Sequence, residues 1–266
     1  MKRRSPEGRG PRLPSARPLS YQNPEFLRST AARPFRILAE YLDPLDAFCR
    51  ENVQETIVFF GSARITPEGP LGRYYEEARA LAHQLTLWSQ GLSELAHRYI
   101  VCTGGGPGIM EAANRGAREA GGKTIGLNIR LPFEQGANPF ITEGLHFEFH
   151  YFFMRKFWFA YLSKALVIFP GGFGTCDELF EILTLVQTDK LSKKIGVILY
   201  GREYWDEVLN VKPMAEWGAI ADKDVELLHY ADTPADAFDQ LRRHLEEHHI
   251  EPDKPAKAPG LAITRG

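Results

Sequence analysis

The sequence predicts an α/β fold, three layers deep around a mostly parallel central sheet. Three observations predict it. Short, almost continuously apolar runs such as Thr56–Phe60 and 165–169 alternate with longer runs of helical periodicity, as buried parallel strands and their crossover helices should. Two of the apolar runs lead directly into glycine clusters, at 104–108 and 171–174, and each cluster opens a helix. Composition adds a globular core: of 266 residues, 44% are hydrophobic and 25% charged, which excludes a fibre, a disulfide scaffold or a wholly disordered chain.

In chain order, Phe35, Leu38, Tyr41, Leu42, Leu45 and Phe48 recur at helical spacing within 31–51. Pro44 interrupts them, which predicts a kink or two short helices. Strands are expected at Thr56–Phe60, 99–102, 123–127, 145–149, 165–169, 195–199 and 225–228. Helices are expected at 74–90, from the first glycine cluster to 120, and at Phe152–Leu162, 176–188, 204–217 and 234–247. Residues 1–29 and 251–266 are proline-rich and read as disordered tails, leaving one domain over 30–250.

Charge and cysteine usage narrow the function classes. Residues 1–20 carry six basic side chains against Glu7, a net +5, so the remaining 246 residues carry −7 and are not a nucleic-acid surface. Cys49, Cys102 and Cys176 stand without any Cys-x-x-Cys pair, which fits a reducing, cytoplasmic compartment and argues against a thiolate metal site. The longest apolar runs fall far short of the ~20 residues of a membrane span, and the polar first thirty residues lack a secretory core. No membrane or nucleic-acid partner is therefore expected.

The glycine clusters carry the chemistry. Glycine permits close backbone approach, and the helix that follows presents unpaired N–H groups to an anion. Gly105 and Gly106 in the first cluster, and Gly171, Gly172, Gly174 and Thr175 in the second, are the expected phosphate ligands. Neither cluster has the spacing of a triphosphate loop or of a dinucleotide fingerprint, so a monophosphate fits better and a nicotinamide-dependent oxidoreductase is disfavoured. Glu178 follows Thr175 by three residues, the spacing of a capping box, so reaching back to the helix start is its plain structural role. Glu181 lies one turn further on the same face, and carboxylates beside a phosphate site suit a ligand whose sugar or attacking water must be held. Glu111, in the helix after the first cluster, invites the same reading.

Arg155 and Lys156 interrupt the aromatic stretch 150–161. A buried arginine needs a partner, and a phosphate or Glu178 would serve. Ser62, just after the first strand, is a further ligand candidate. No metal set, nucleophile triad or pyridoxal lysine is legible, so no cofactor is expected. Phe149, Tyr151, Phe152, Phe153, Phe157, Trp158, Phe159 and Tyr161 together offer more apolar surface than one helix can bury on its own sheet, which predicts a two-fold homodimer through this helix.

Taken together, Met154-Arg155-Lys156, Pro170-Gly-Gly-Phe-Gly-Thr175-Cys-Asp-Glu178-Leu-Phe-Glu181 and Gly104-Gly-Gly-Pro-Gly-Ile-Met-Glu-Ala112 resemble the LOG ("Lonely guy") family over about residues 53–248. These are cytokinin-activating phosphoribohydrolases, formerly mislabelled as lysine decarboxylases. The resemblance implies a Rossmann-like homodimer or a higher oligomer built from dimers. It also implies hydrolysis of a purine nucleoside 5′-monophosphate to free base and ribose 5-phosphate. By position Arg155 and Glu178 match the catalytic pair and 171–175 the phosphate turn, with Met154 and Lys156 flanking as substrate ligands. The segment Phe152-Phe-Met-Arg155-Lys156 departs from the Met-His-x-Arg-Lys of many members. The Pro107 and Glu111 form of the first motif is nearer to larger bacterial nucleotide nucleosidases. A purine ribonucleotide is thus the implied substrate, and a non-catalytic nucleotide-binding or regulatory protein is the alternative.

Overall fold

In the computed structural model, which describes residues 17–92, 98–132, 136–191 and 193–250, seven strands form one sheet in which every neighbouring pair is parallel. The described residues fall into two compact units, one ending at Glu40 and the other starting at Tyr41, so the boundary lies inside the span 30–250 read from the sequence. Most of both expected tails, 1–16 and 251–266, lies outside the described residues.

The first unit holds a helix, α1 (Pro24–Arg28), where the sequence reading has a disordered tail. Asn23 caps it, its side-chain oxygen accepting the N–H groups of Glu25 and Phe26, and Pro24 fills the position where a missing N–H costs nothing. The guanidinium of Arg36 donates to the carbonyls of Leu27 and Ser29, and Phe26 meets Phe35 edge-on. The helix α2 (Arg33–Arg50) runs through Pro44 as one element rather than breaking there. One forfeited hydrogen bond is a smaller cost than unpacking the helix face that buries Ala47 and Phe48.

Along the second unit follow β1 (Thr56–Phe60), α3 (Gly72–Gln90), β2 (Ile100–Thr103), α4 (Ile109–Glu119), β3 (Thr124–Ile129), β4 (His146–Phe149), α5 (Phe152–Leu162), β5 (Ser163–Ile168), α6 (Phe173–Gln187) and β6 (Gly196–Tyr200). The chain closes with α7 (Arg202–Val208), α8 (Lys212–Glu216), α9 (Asp222–Val225), β7 (His229–Ala231) and α10 (Pro234–His248). Two expectations shift here. The helix expected over 204–217 is two helices, with Leu209 extended between them and Pro213 in the first turn of the second. The strand expected at 225–228 begins at His229, because Asp224 accepts the Ala221 N–H and caps the start of α9, and the turn that ends this helix takes up 226–228. A short apolar run does not separate these states by pattern alone.

The strand order is β4-β3-β2-β1-β5-β6-β7. Chain direction across the sheet therefore reverses between β1 and β5, the place where open α/β sheets bind ligands beyond the strand ends. Register puts those ends level, Phe59 beside Thr103 and Phe60 beside Ile168. On one face α3, α4 and α10 bury Tyr74, Leu81, Ile109, Ala113 and Leu241 against the strands. On α5, Trp158 packs against Tyr41 and Phe48, and Phe159 meets Phe60 with ring centres 4.8 Å apart. No helix among the described residues is long and apolar enough to cross a membrane.

Candidate active site

Three loops leave the level strand ends and are tied to one another. The Phe169 N–H donates to the Phe60 carbonyl (2.8 Å), the Ser62 N–H to the Pro170 carbonyl (2.9 Å), and the Ile109 N–H to the Ser62 carbonyl (3.2 Å). Ser62 thus serves the site through its backbone, while its hydroxyl accepts the Arg64 N–H at 3.1 Å.

The loop after β2 needs glycine: Gly105 has φ +72°, and a Cβ there would stand 1.8 Å from the Asn128 amide oxygen. A buried polar network holds it. The Gly105 N–H donates to the Thr103 hydroxyl (2.9 Å), which donates to Asn114 Oδ1 (2.7 Å). The Asn138 amide donates to the Gly105 and Gly106 carbonyls (3.1 and 3.0 Å) and to Asn114 Oδ1 (2.9 Å). Asn114 in turn donates to Thr124. Sequence reading missed Asn114 and Asn138. Asn114 offered a signal, a polar residue among the small and apolar residues that α4 buries, which demands partners when buried.

Arg155 and Lys156, adjacent on α5, have different partners. Arg155 donates Nε–H to the Leu127 carbonyl (2.8 Å) and lays its guanidinium over Phe159, against Gly104, where a Cβ would be 2.6 Å from Nη2. No carboxylate among the described residues lies within ion-pair distance of it, so the expected contact with Glu178 is a through-space attraction. Burial lowers its pKa and the Glu178 charge opposes that shift; the guanidinium remains protonated. The Lys156 ammonium bonds Glu181 (2.5 Å) and Asp177 (2.9 Å) and stands 3.8 Å from Glu178. Burial works against its charge, but the Glu181 and Asp177 carboxylates hold it above its ordinary value. Lys156 and Glu181, both expected at the substrate, are therefore bonded to each other.

Helix α6 starts at Phe173, three residues before the expected start, with Gly172 as its N-cap. Thr175 then lies in the first turn and Glu178 in the second, which overturns the capping-box reading. Freed of that role, Glu178 is 6% exposed, and burial pushes its carboxyl from 4.5 up to about 7, against the pull of Arg155 and Lys156. Thr175 covers Gly171, where a Cβ would fall 2.1 Å from its hydroxyl, whereas a Cβ on Gly172 or Gly174 would meet nothing within 4 Å. Among the described residues, no backbone carbonyl receives the N–H groups of Gly171, Gly172, Phe173 or Gly174. The turn is open, donor-rich and unencumbered, as an anion requires. Met154 is buried in the first turn of α5. Glu111 accepts the Tyr75 hydroxyl at 2.8 Å, which ties it toward α3.

A family model described as "possible lysine decarboxylase" matches residues 110–241. A cytokinin riboside 5′-monophosphate phosphoribohydrolase of Rhodococcoides fascians is 30% identical over 139 residues, covering 48% of this chain and 69% of that protein. The chain belongs to the LOG family. The probable cytokinin riboside 5′-monophosphate phosphoribohydrolase LOG6 of Arabidopsis thaliana is 27% identical over 191 residues, covering 72% of this chain and 89% of its own. The X-ray structure of TM1055 shares the fold, with a TM-score of 0.51 and 22% identity over 71% of this chain and 99% of that one. Both LOG relatives carry phosphoribohydrolase names, and the fold is the Rossmann-like architecture expected of the LOG family.

Proposed function

We propose that this LOG-family enzyme hydrolyses the N-glycosidic bond of purine nucleoside 5′-monophosphates, releasing free base and D-ribose 5-phosphate. The observation that carries the proposal is Glu178: a buried carboxylate poised near neutrality, beside a charged Arg155 and above an open turn of unpaired N–H groups. The N–H groups of 172–174 and the Thr175 hydroxyl bind the 5′-phosphate, and Arg155 adds a full positive charge. Breaking C1′–N builds positive charge on the ribose, and ionised Glu178 stabilises that charge more than it does the neutral ground state. The same carboxylate orients the attacking water and takes its proton. Lys156 keeps Glu178 ionisable near pH 7 and is bridged to Glu181 rather than to the ligand. The phosphate, held away from the reacting bond, supplies the binding energy that positions C1′.

The active unit is a homodimer. Much of the aromatic stretch expected to supply the interface is spent on the chain's own core, since Phe149, Tyr151, Trp158, Phe159 and Tyr161 are buried. What stays outside is Phe152 and Phe153 on α5, each about half exposed, and Phe173 (96%) and Phe180 on α6. These four support an interface shared by α5 and α6.

The test is to incubate the protein with AMP, GMP, CMP, UMP and isopentenyladenosine monophosphate and to separate the free bases. Adenine-type base release faster than pyrimidine release is expected. Nucleoside and inorganic phosphate as the products would replace this reading with a phosphatase.

A further inference from the structure

We infer that Tyr204, at the start of α7, is a positioning residue that fixes the direction in which the turn after β5 presents its N–H groups; this rests on the reading of that turn as the 5′-phosphate site. The Tyr204 hydroxyl donates to the Gly171 carbonyl at 2.9 Å. In a trans peptide the C=O and the following N–H point in opposite directions. A Gly171 carbonyl held toward α7 therefore turns the Gly172 N–H away from α7. The preceding peptide is locked in the same manner, because the Pro170 carbonyl accepts the Ser62 N–H and the Gly171 N–H must face the other way.

The lock is needed because of what the turn is made of. A peptide between two glycines meets almost no steric barrier to rotating by half a turn, since neither neighbour has a Cβ. Flipped, it would aim the negative end of its dipole at the anion. Thr175 packs over Gly171, but its N–H bonds the Gly172 carbonyl (3.0 Å) and not that of Gly171, so it does not prevent the flip. Tyr204 does, and it is itself well anchored. Its neighbour Trp205 is fully buried and shares its indole N–H between the carbonyls of Ile168 (3.1 Å) and Tyr200 (3.2 Å), which fixes α7 to the ends of β5 and β6. Burial raises the Tyr204 phenol above its ordinary value, so it stays a donor throughout the neutral range.

The variant Tyr204→Phe keeps the ring and removes only the hydroxyl. Ribose 5-phosphate binding by calorimetry and steady-state hydrolysis of AMP separate positioning from general structure. The expected result is a Kd for ribose 5-phosphate and a KM for AMP each raised about tenfold, with kcat within about twofold and an unchanged melting temperature. Wild-type affinity for ribose 5-phosphate in the variant would overturn the inference. So would a fall in kcat at constant KM, or a lowered melting temperature with kcat and KM both altered. Absence of ribose 5-phosphate binding in the wild type would remove the phosphate-site reading itself, and the role of Tyr204 with it.

Discussion

The Lys156 ammonium stands 3.8 Å from the Glu178 carboxylate while bonding Glu181 at 2.5 Å and Asp177 at 2.9 Å. A cation shared this way lowers the cost of ionising the buried Glu178 without forming a tight pair with it, and the carboxyl settles at about 7. The ionised form is the one that stabilises a ribosyl cation, so kcat/KM should fall as pH drops through about 7. A flat profile between pH 5 and 8 would remove Glu178 from that role.

Replacing Lys156 by Met removes one of the two charges that favour ionised Glu178. The acid limb of the kcat/KM profile should move to higher pH, with a loss of about tenfold at pH 7 and much less at pH 9. An equal loss at every pH would show that Lys156 contacts the substrate instead.

Burial of Glu178 also has a cost in stability. Below pH 4.5 the folded and unfolded chains both carry the proton, and nothing is lost. Between 4.5 and 7 the unfolded chain releases it while the folded chain keeps it, so stability falls as pH rises, and above 7 the whole cost stands. Glu178→Gln removes a penalty on the order of 3 kcal/mol at pH 8. The variant should melt higher than the wild type at pH 8 and near it at pH 4.5, while losing base release almost entirely. Denaturant melts at the two pH values check the difference.

The two kinds of glycine in the turn should respond oppositely. Gly174→Ala meets no neighbour within 4 Å, so stability should hold while KM for the nucleotide rises about tenfold or more as the methyl fills the anion space. Gly171→Ala would press on Thr175 and should lower stability by about 1–3 kcal/mol. Equal melting temperatures for the two variants would contradict this division.

The apolar residues left exposed on α5 and α6 give an assembly prediction. Size exclusion with light scattering should return twice 30.1 kDa, and Phe180→Glu should reduce it toward one chain. An active species of one chain mass would remove the dimer.

Much of this was legible in the sequence, for identifiable reasons. Buried parallel strands read as plain apolar runs, and glycine clusters at their ends mark where a chain must approach a ligand, so the central sheet and both site loops could be placed. Glu178 and Arg155 were legible as candidates, the first as a carboxylate early in the helix after a glycine cluster and the second as a charge set among aromatics. What was not legible depends on contacts between segments distant in sequence. The Tyr204 hydroxyl reaches Gly171 across 33 residues and Asn138 reaches Gly105 across 33, and no local pattern encodes either bond. The partition of Arg155 and Lys156 between a carbonyl and three carboxylates was hidden for the same reason. The start of α6 was misread because Thr-x-x-Glu fits a cap equally well three residues too late, and only the bonds from the Thr175 and Cys176 N–H groups to the Gly172 carbonyl decide it. The helix α1 was missed although Asn23-Pro24-Glu25 carries a start signal, because the proline-rich composition around it argued for a tail.

The central claim is cleavage at C1′ by a site built on Glu178. The most direct measurement follows adenine and ribose 5-phosphate together in one time course with AMP, for the wild type and for Glu178→Gln. The account predicts equal molar amounts of the two products from the wild type and near-complete loss of both in a folded variant. Adenosine with inorganic phosphate, or undiminished base release by the variant, would contradict it.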